Sequence, residues 1–371
     1  MKRIIALLLA VVLCCGTLVA CGNTGDTTTT TVNGTTTGDV TPPAGGLDPN
    51  LPADAGFGLG GETPSPIDIF KYKVLDNGTV MITGTYTDKA NDLTKIVVPA
   101  LIDGKKVSTL GESALATLNN VTEIVVSGYV TEIQAYAFRD CTKLATLKLP
   151  EHVATLGAGV FSGCTGFKAI DFIPNSVTKM GERVFENCTT TLKIVIPDSV
   201  TEIGGYTFVG CSGLTEVVIS KNLKEIPERM FMGCSMLGKN VEGFEINIPE
   251  GCTKIGAYAF ADCNQVKTIT IPSTVTEIGK NAFDGCKRLA TLVIPDACKK
   301  IGNEAFNNCS SLASIVLPAG ADVKIGSGII NPLNTKKVAI TVTNGSAAHT
   351  WVQENIEGKL PANSKVTIIV K

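Results

Sequence analysis

The sequence predicts a mostly β solenoid, a stack of short coils in which each coil repeats the last. Three observations lead there. The pattern Phe-x-x-Cys occurs at Phe138/Cys141, Phe161/Cys164, Phe185/Cys188, Phe208/Cys211, Phe231/Cys234, Phe260/Cys263, Phe283/Cys286 and Phe306/Cys309. Successive phenylalanines are 23, 24, 23, 23, 29, 23 and 23 residues apart. Each pair also sits at the same place in a longer unit, Phe283-Asp-Gly-Cys286-Lys-Arg-Leu289-Ala-Thr-Leu292-Val-Ile294-Pro295, then Cys298-Lys-Lys-Ile301-Gly302. Self-similarity at such a period marks a repeat architecture. No unit this small can bury its own apolar side, so neighbouring coils must stack and align equivalent residues into columns.

Within the unit, alternation at Leu292, Val293 and Ile294 predicts a strand. Pro295 ends it, because proline has no N–H to give to a ladder. Ile301 lies in a second, shorter extended piece, and Gly302 permits the bend that follows. The Ala-Phe-x-x-Cys stretch is expected to form one helical or 3-10 turn. The eight phenylalanines then become a core stack.

The remaining segments follow in chain order. Lys2 and Arg3 precede an almost wholly apolar run from Ile4 to Ala20, which reads as a secretory signal over residues 1–20. It ends in Leu18-Val19-Ala20-Cys21-Gly22, which resembles a bacterial lipobox; that resemblance implies lipid attachment at Cys21 and an exported protein anchored to the outer face of a cell membrane. Residues 21–66 hold the Thr27–Thr31 and Thr35–Thr37 runs with Pro42-Pro43 and Gly45-Gly46, and are expected to be a disordered tether. Residues 67–104, with Asp76-Asn77-Gly78 as a hairpin turn, are expected to form an N-terminal β cap. About nine coils are expected over 105–325, the first of them atypical at Leu115 and Leu118, and a C-terminal cap over 326–371.

The repeat unit resembles the BspA-type leucine-rich-repeat family of bacterial surface proteins. That resemblance implies a right-handed leucine-rich-repeat-like solenoid, and a role in attachment to host proteins and in cell–cell interaction. Asn344-Gly-Ser-Ala-Ala-His-Thr-Trp351 resembles the tail of such proteins, less specifically.

Composition narrows the chemistry. A net charge of -2 gives no basic excess to neutralise phosphates, so nucleic acid is not an expected partner. Outside the first 21 residues ten cysteines remain, eight in the repeat position and Cys252 and Cys298 in place of a valine. Three readings are open for the column: free packing thiols, disulfides between coils, or a metal site. A line of single thiols favours the first, since metals want ligands converging as a tetrahedron and stacked identical rotamers disfavour the disulfide torsion. His152 and His349 sit near no nucleophile pattern, and no phosphate loop or zinc helix is present. Glu202, Glu225 and Glu277 recur singly, one per coil, and are expected to decorate an exposed edge. No catalytic residue, metal or cofactor is expected.

The outward strand positions form the candidate binding face: Lys148, Asp171, Lys193, Val195, Glu216, Val218, Glu245, Asn247, Thr270, Val293 and Val316. A row of exposed valines is unusual enough to suggest partner contact, although β-branched residues are also ordinary filler on a pleated surface. Six extra residues between Cys234 and Pro249 make either a bulge or a binding loop. The expected function is a surface-anchored adhesion or interaction module for an extracellular or host-surface protein or glycan. The alternatives are a passive envelope protein and a secreted polymer hydrolase built on paired carboxylates.

Overall fold

A computed structural model describes residues 61–90, 92–126, 128–330, 337–357 and 366–371. The chain divides into units Met1–Gly46 and Leu47–Lys371, and all described residues belong to the second. The signal segment, Cys21 and nearly all of the tether lie outside the described residues.

The second unit is a mostly β parallel solenoid of about 11 turns. Each coil carries two strand positions and one turn. On the first face, strands such as Thr146–Lys148, Lys193–Val195, Glu216–Val218 and Thr291–Val293 follow one another in parallel register. On the second face, two-residue strands such as Glu202–Ile203, Lys254–Ile255 and Glu277–Ile278 do the same. Both columns run beyond the Phe-Cys coils. Phe70–Val74 and Val80–Thr85 form an antiparallel hairpin around Gly78, whose φ of 80° only glycine adopts freely, and the second strand pairs in parallel with Lys105–Leu110. At the other end Val338–Val342 pairs with Ser314–Val316, and Val366–Val370 adds one strand more.

The third side is the phenylalanine turn, and here the structure corrects an expectation. The residues two before and two after each phenylalanine have positive φ, as at Tyr136 (60°) and Asp140 (56°), or Gly159 (59°) and Gly163 (75°). Left-handed residues cannot propagate a right-handed helix, so the expected helical or 3-10 turn is a chain of hydrogen-bonded turns instead. Its geometry points backbone groups along the stack. Tyr136, Phe138 and Asp140 donate to Ala158, Val160 and Ser162 of the next coil at 2.8–2.9 Å.

The core is continuous. The eight phenylalanines are fully buried and stack with ring centroids 5.1–5.7 Å apart and planes within 18°. Leu115 takes the phenylalanine place at one end and Ile330 at the other, and both are buried. Every ladder cysteine is free and buried beside this stack. Glycines on the second face set how closely coils approach. A Cβ on Gly204, Gly256, Gly279 or Gly302 would stand 2.4–2.6 Å from a backbone nitrogen of the preceding coil.

Candidate functional site

The first face holds the predicted binding residues in register but divides them. Its strands form four separate sheets, with one break at the six-residue insertion between Glu216–Val218 and Ile246–Asn247. Lys148 is drawn into an ion cluster, 3.5 Å from Glu62 and 3.9 Å from Glu123; Lys95 meets the same two carboxylates at 2.8 and 3.2 Å. The Lys95 hydrogen bond holds the Glu62 carboxyl below its usual range. Lys193 pairs with Glu216 at 3.5 Å, and Glu245 accepts from the Thr270 hydroxyl. Val195 and Val316 are half-buried, whereas Val218 and Val293 are 51% and 62% exposed. Asn247 and Thr270, both exposed, stand between those two, and Asp171 is exposed toward the other end. Val218 and Val293 are thus three coils, or about 14 Å, apart. They are single apolar points and not a patch.

The concavity lies on the second face. A groove of about 670 Å³ runs past six coils there, from Glu182 to Asn303. A neighbouring hollow of about 690 Å³ reaches back to Lys179. Gly204, Gly205, Gly256, Ala257, Gly279 and Gly302 line the first groove with almost no side chain. One rim is the strand column Glu225, Lys254, Glu277 and Lys300, aligned residue for residue. The other rim carries Glu182, Tyr206, Glu228, Lys280 and Asn303. Lys300 is paired with Glu277 at 2.8 Å, and Glu228 with Arg229. Among the described residues, Glu182, Glu225, Lys254 and Lys280 form no ion pair.

Pro227 opens this groove. In neighbouring coils the equivalent residue is glycine, whose N–H donates to the aliphatic residue one coil back: Gly204 to Met180 at 2.9 Å, Gly256 to Ile226 and Gly279 to Ile255 at 2.8 Å. Proline has no N–H. At this boundary Glu202–Ile203 and Glu225–Ile226 do not pair, and the column splits into two sheets. The Ile203 carbonyl accepts no hydrogen bond among the described residues, and Ile203 lines the groove.

Beside the groove Arg183, from the coil before, and Arg229, from the coil after, stack over the Tyr206 ring at 4.3 and 5.0 Å; Arg229 also lies 4.6 Å from Tyr258. The thiols form a separate inner line. Cys164, Cys188, Cys211, Cys234, Cys263, Cys286 and Cys309 each donate S–H to the carbonyl of a ladder phenylalanine one coil back at 3.0–3.3 Å, and Cys141 does so to Leu115 at 3.1 Å. Burial pushes Cys141, Cys211 and Cys309 up to about 12 and the rest of the column well above the ordinary thiol range. Such thiols are inert in the folded protein. Cys252 and Cys298 bond instead to the carbonyls of Lys254 and Lys300. His152 lies in an exposed turn, and His349 Nδ1 accepts from the Gly345 N–H at 3.3 Å.

Sequence reasoning placed Glu202, Glu225 and Glu277 at an exposed edge, and they are in this column, but it missed the groove they border. The available signal was Lys179, Lys254 and Lys300 at the same repeat position as the glutamates, with a proline at 227 in a glycine column.

Residues 104–238 and 239–348 match the model of the BspA type leucine rich repeat region. Among solved structures, a leucine-rich repeat protein from Bacteroides ovatus is similar at 25% identity with a TM-score of 0.66, over 83% of this chain and 76% of that one. One from Eubacterium ventriosum is 26% identical over 75% of this chain and 77% of its own, with a TM-score of 0.47. The T. pallidum leucine rich repeat protein is 25% identical over 55% and 91%, with a TM-score of 0.49. No curated protein matches the chain. Repeat proteins of this kind are typically interaction or surface modules and in general not enzymes. With the repeat, the Phe and Cys columns and the matched model in agreement, the chain belongs to the BspA type leucine rich repeat family.

Proposed function

We propose that the chain is an exported interaction module, lipid-anchored through Cys21 at the outer face of a bacterial membrane, which holds an extracellular protein or glycan against its solenoid without catalysis. The observation that carries the reading is the second-face groove, where four coils present the unpaired charges Glu182, Glu225, Lys254 and Lys280 over a bare floor. Recognition at such a surface comes from charge order and shape, and the stacked strands hold the backbone that bears the charges in place before a partner arrives. The apolar run, the Cys21 motif and the Thr-rich stretch after it supply the means of display. On the first face Val218 and Val293 stand exposed but apart, and that face serves as the comparison surface.

The test is capture of host-surface proteins and of arrayed glycans by the full-length protein in detergent, compared with two charge variants. Val218→Lys plus Val293→Lys alters the first face, and Lys254→Glu plus Lys280→Glu the second. Loss of capture in either variant supports the reading and assigns the face. Capture unchanged in both, or none above background, removes it. For the anchor, metabolic incorporation of labelled fatty acid is expected in the wild type and abolished in Cys21→Ser; equal labelling of both would refute lipidation at that residue.

A further inference from the structure

We propose that the second-face groove is a binding site for an extended polypeptide segment of about six residues, carrying a basic side chain at one end and an acidic one at the other. This deepens the interaction-module reading and rests on it. Length comes first. Glu182 and Lys280 are four coils apart, about 19 Å at the spacing of stacked strands, and an extended chain covers that in about six residues. The floor of glycine and alanine leaves room for a backbone to lie along it.

Charge order comes second. The unpaired groups are segregated: Glu182 and Glu225 on the Pro227 side, Lys254 and Lys280 beyond it. A uniformly basic or acidic ligand would satisfy one pair and be repelled by the other, whereas a dipolar segment satisfies both. The same carboxylates oppose a polyanion.

Hydrogen-bonding capacity comes third. The glycine N–H groups of the floor are already spent on neighbouring coils, while the Ile203 carbonyl is left without a donor because residue 227 is proline. A backbone carbonyl that the next coil does not satisfy needs a donor from elsewhere. One N–H of a peptide crossing the coils supplies it. A sugar would instead seek an open aromatic face, and the Tyr206 ring already carries two guanidinium groups. The three observations together select a peptide.

The experiment uses the full-length protein in detergent and fluorescein-labelled hexapeptides with blocked ends. One peptide carries an Arg and an Asp at its two ends, one carries two Arg, one two Asp, and one no charge; anisotropy gives the affinities at low salt. The dipolar peptide is expected to bind about three- to tenfold more tightly than the others, the range for two or more exposed charge contacts. In Lys254→Glu plus Lys280→Glu the preference should move to the two-Arg peptide. Pro227→Gly, which returns a donor to Ile203, should weaken the dipolar peptide with its charges untouched, and thermal melting verifies that both variants fold. Equal affinity for all four peptides overturns the proposal, as does a preference that the charge variant leaves in place. Arrayed glycans captured by the wild type and lost in the groove variants overturn it too, while leaving the interaction-module reading standing. Capture of no protein, glycan or peptide at all removes both.

Discussion

The cysteine column makes this fold sensitive to alkali, and the size of the effect can be worked out. An unfolded thiol ionises with a pKa of ~8.5. In the folded chain burial holds Cys141, Cys211 and Cys309 up to about 12 and raises the other five ladder thiols well above the ordinary range. The folded state therefore keeps protons that the unfolded state releases. Stability from this source is fully present below ~8.5 and is lost as the pH climbs from there toward about 12. At pH ~9.5 reprotonating one thiol on folding costs about 1.4 kcal/mol, and eight cost about 11 kcal/mol. A loss of that size rivals the whole stability of an ordinary domain, ~5–15 kcal/mol. Urea melts followed by circular dichroism, with a phosphine reductant present, should show stability falling steeply between pH ~7.5 and ~9.5. The triple variant Cys188→Ala, Cys211→Ala, Cys234→Ala starts from a lower stability, having lost three S–H donors and their packing. Its fall over the same interval should nevertheless be about 4 kcal/mol smaller. A pH-independent wild type would refute the reasoning, and so would a triple variant that falls as far as the wild type.

Three further outcomes are expected at neutral pH, each read as a shift in urea midpoint. Phe208→Ala, which empties a fully buried site between rings 5.7 and 5.4 Å away, should cost about 3–5 kcal/mol, and Phe208→Leu under half of that, since Leu115 already fills the column at one end. Equal losses would mean that the column is not tightly packed. Gly279→Ala forces a Cβ to within 2.5 Å of the Ala257 nitrogen and should cost at least ~1–3 kcal/mol, whereas Gly84→Ala, whose nearest new neighbour is a Lys71 side-chain carbon at 3.5 Å, should stay within ~0.5 kcal/mol. Lys179→Gln removes a solvated pair with Glu202 and should cost under ~1 kcal/mol; a larger loss would show that the rim charges support the fold.

Most of the architecture was legible because period and burial coincide. Phe208 and Cys211 recur where a side chain must be buried in every coil, and the Ile-Gly step recurs where two backbones must nearly touch. What escaped depends on backbone geometry that the apolar pattern does not carry. The left-handed residues two before each phenylalanine are mixed, as at Tyr136, Arg183 and Asn281, so the turn resembled a helical one; the signal lay two residues after it, where Asp140, Asn187, Gly210 and Asp262 belong to the set that tolerates positive φ. Nine of the eleven candidate binding residues fell on strands, Asp171 and Glu245 lying just beside them, yet their division into four sheets is set by pairings between coils. The groove was hidden for a related reason. Reading Pro227 as an opening requires knowing which carbonyl its missing N–H would have reached, and that is a fact about the coil before.

The opening is tolerated because the three sides of a coil do different work. Between the coils of Phe208 and Phe231 neither strand column is paired, the second face at Pro227 and the first at the inserted residues. The turn column runs through unbroken: Tyr206, Phe208 and Gly210 donate to Glu228, Met230 and Met232 at 2.9 Å, and the rings remain 5.4 Å apart. Cys234 adds an S–H bond to the Phe208 carbonyl at 3.3 Å across the same gap. Nearest-neighbour coupling is what holds a solenoid together, and here one side carries the coupling while the other two separate. A fold organised in this way can change its period on the strand faces without losing its core. The departures from the repeat, Pro227 and the insertion before Pro249, accordingly fall where coils have strand pairing to lose, and the Phe-Cys turn keeps its pattern from Phe138 to Cys309.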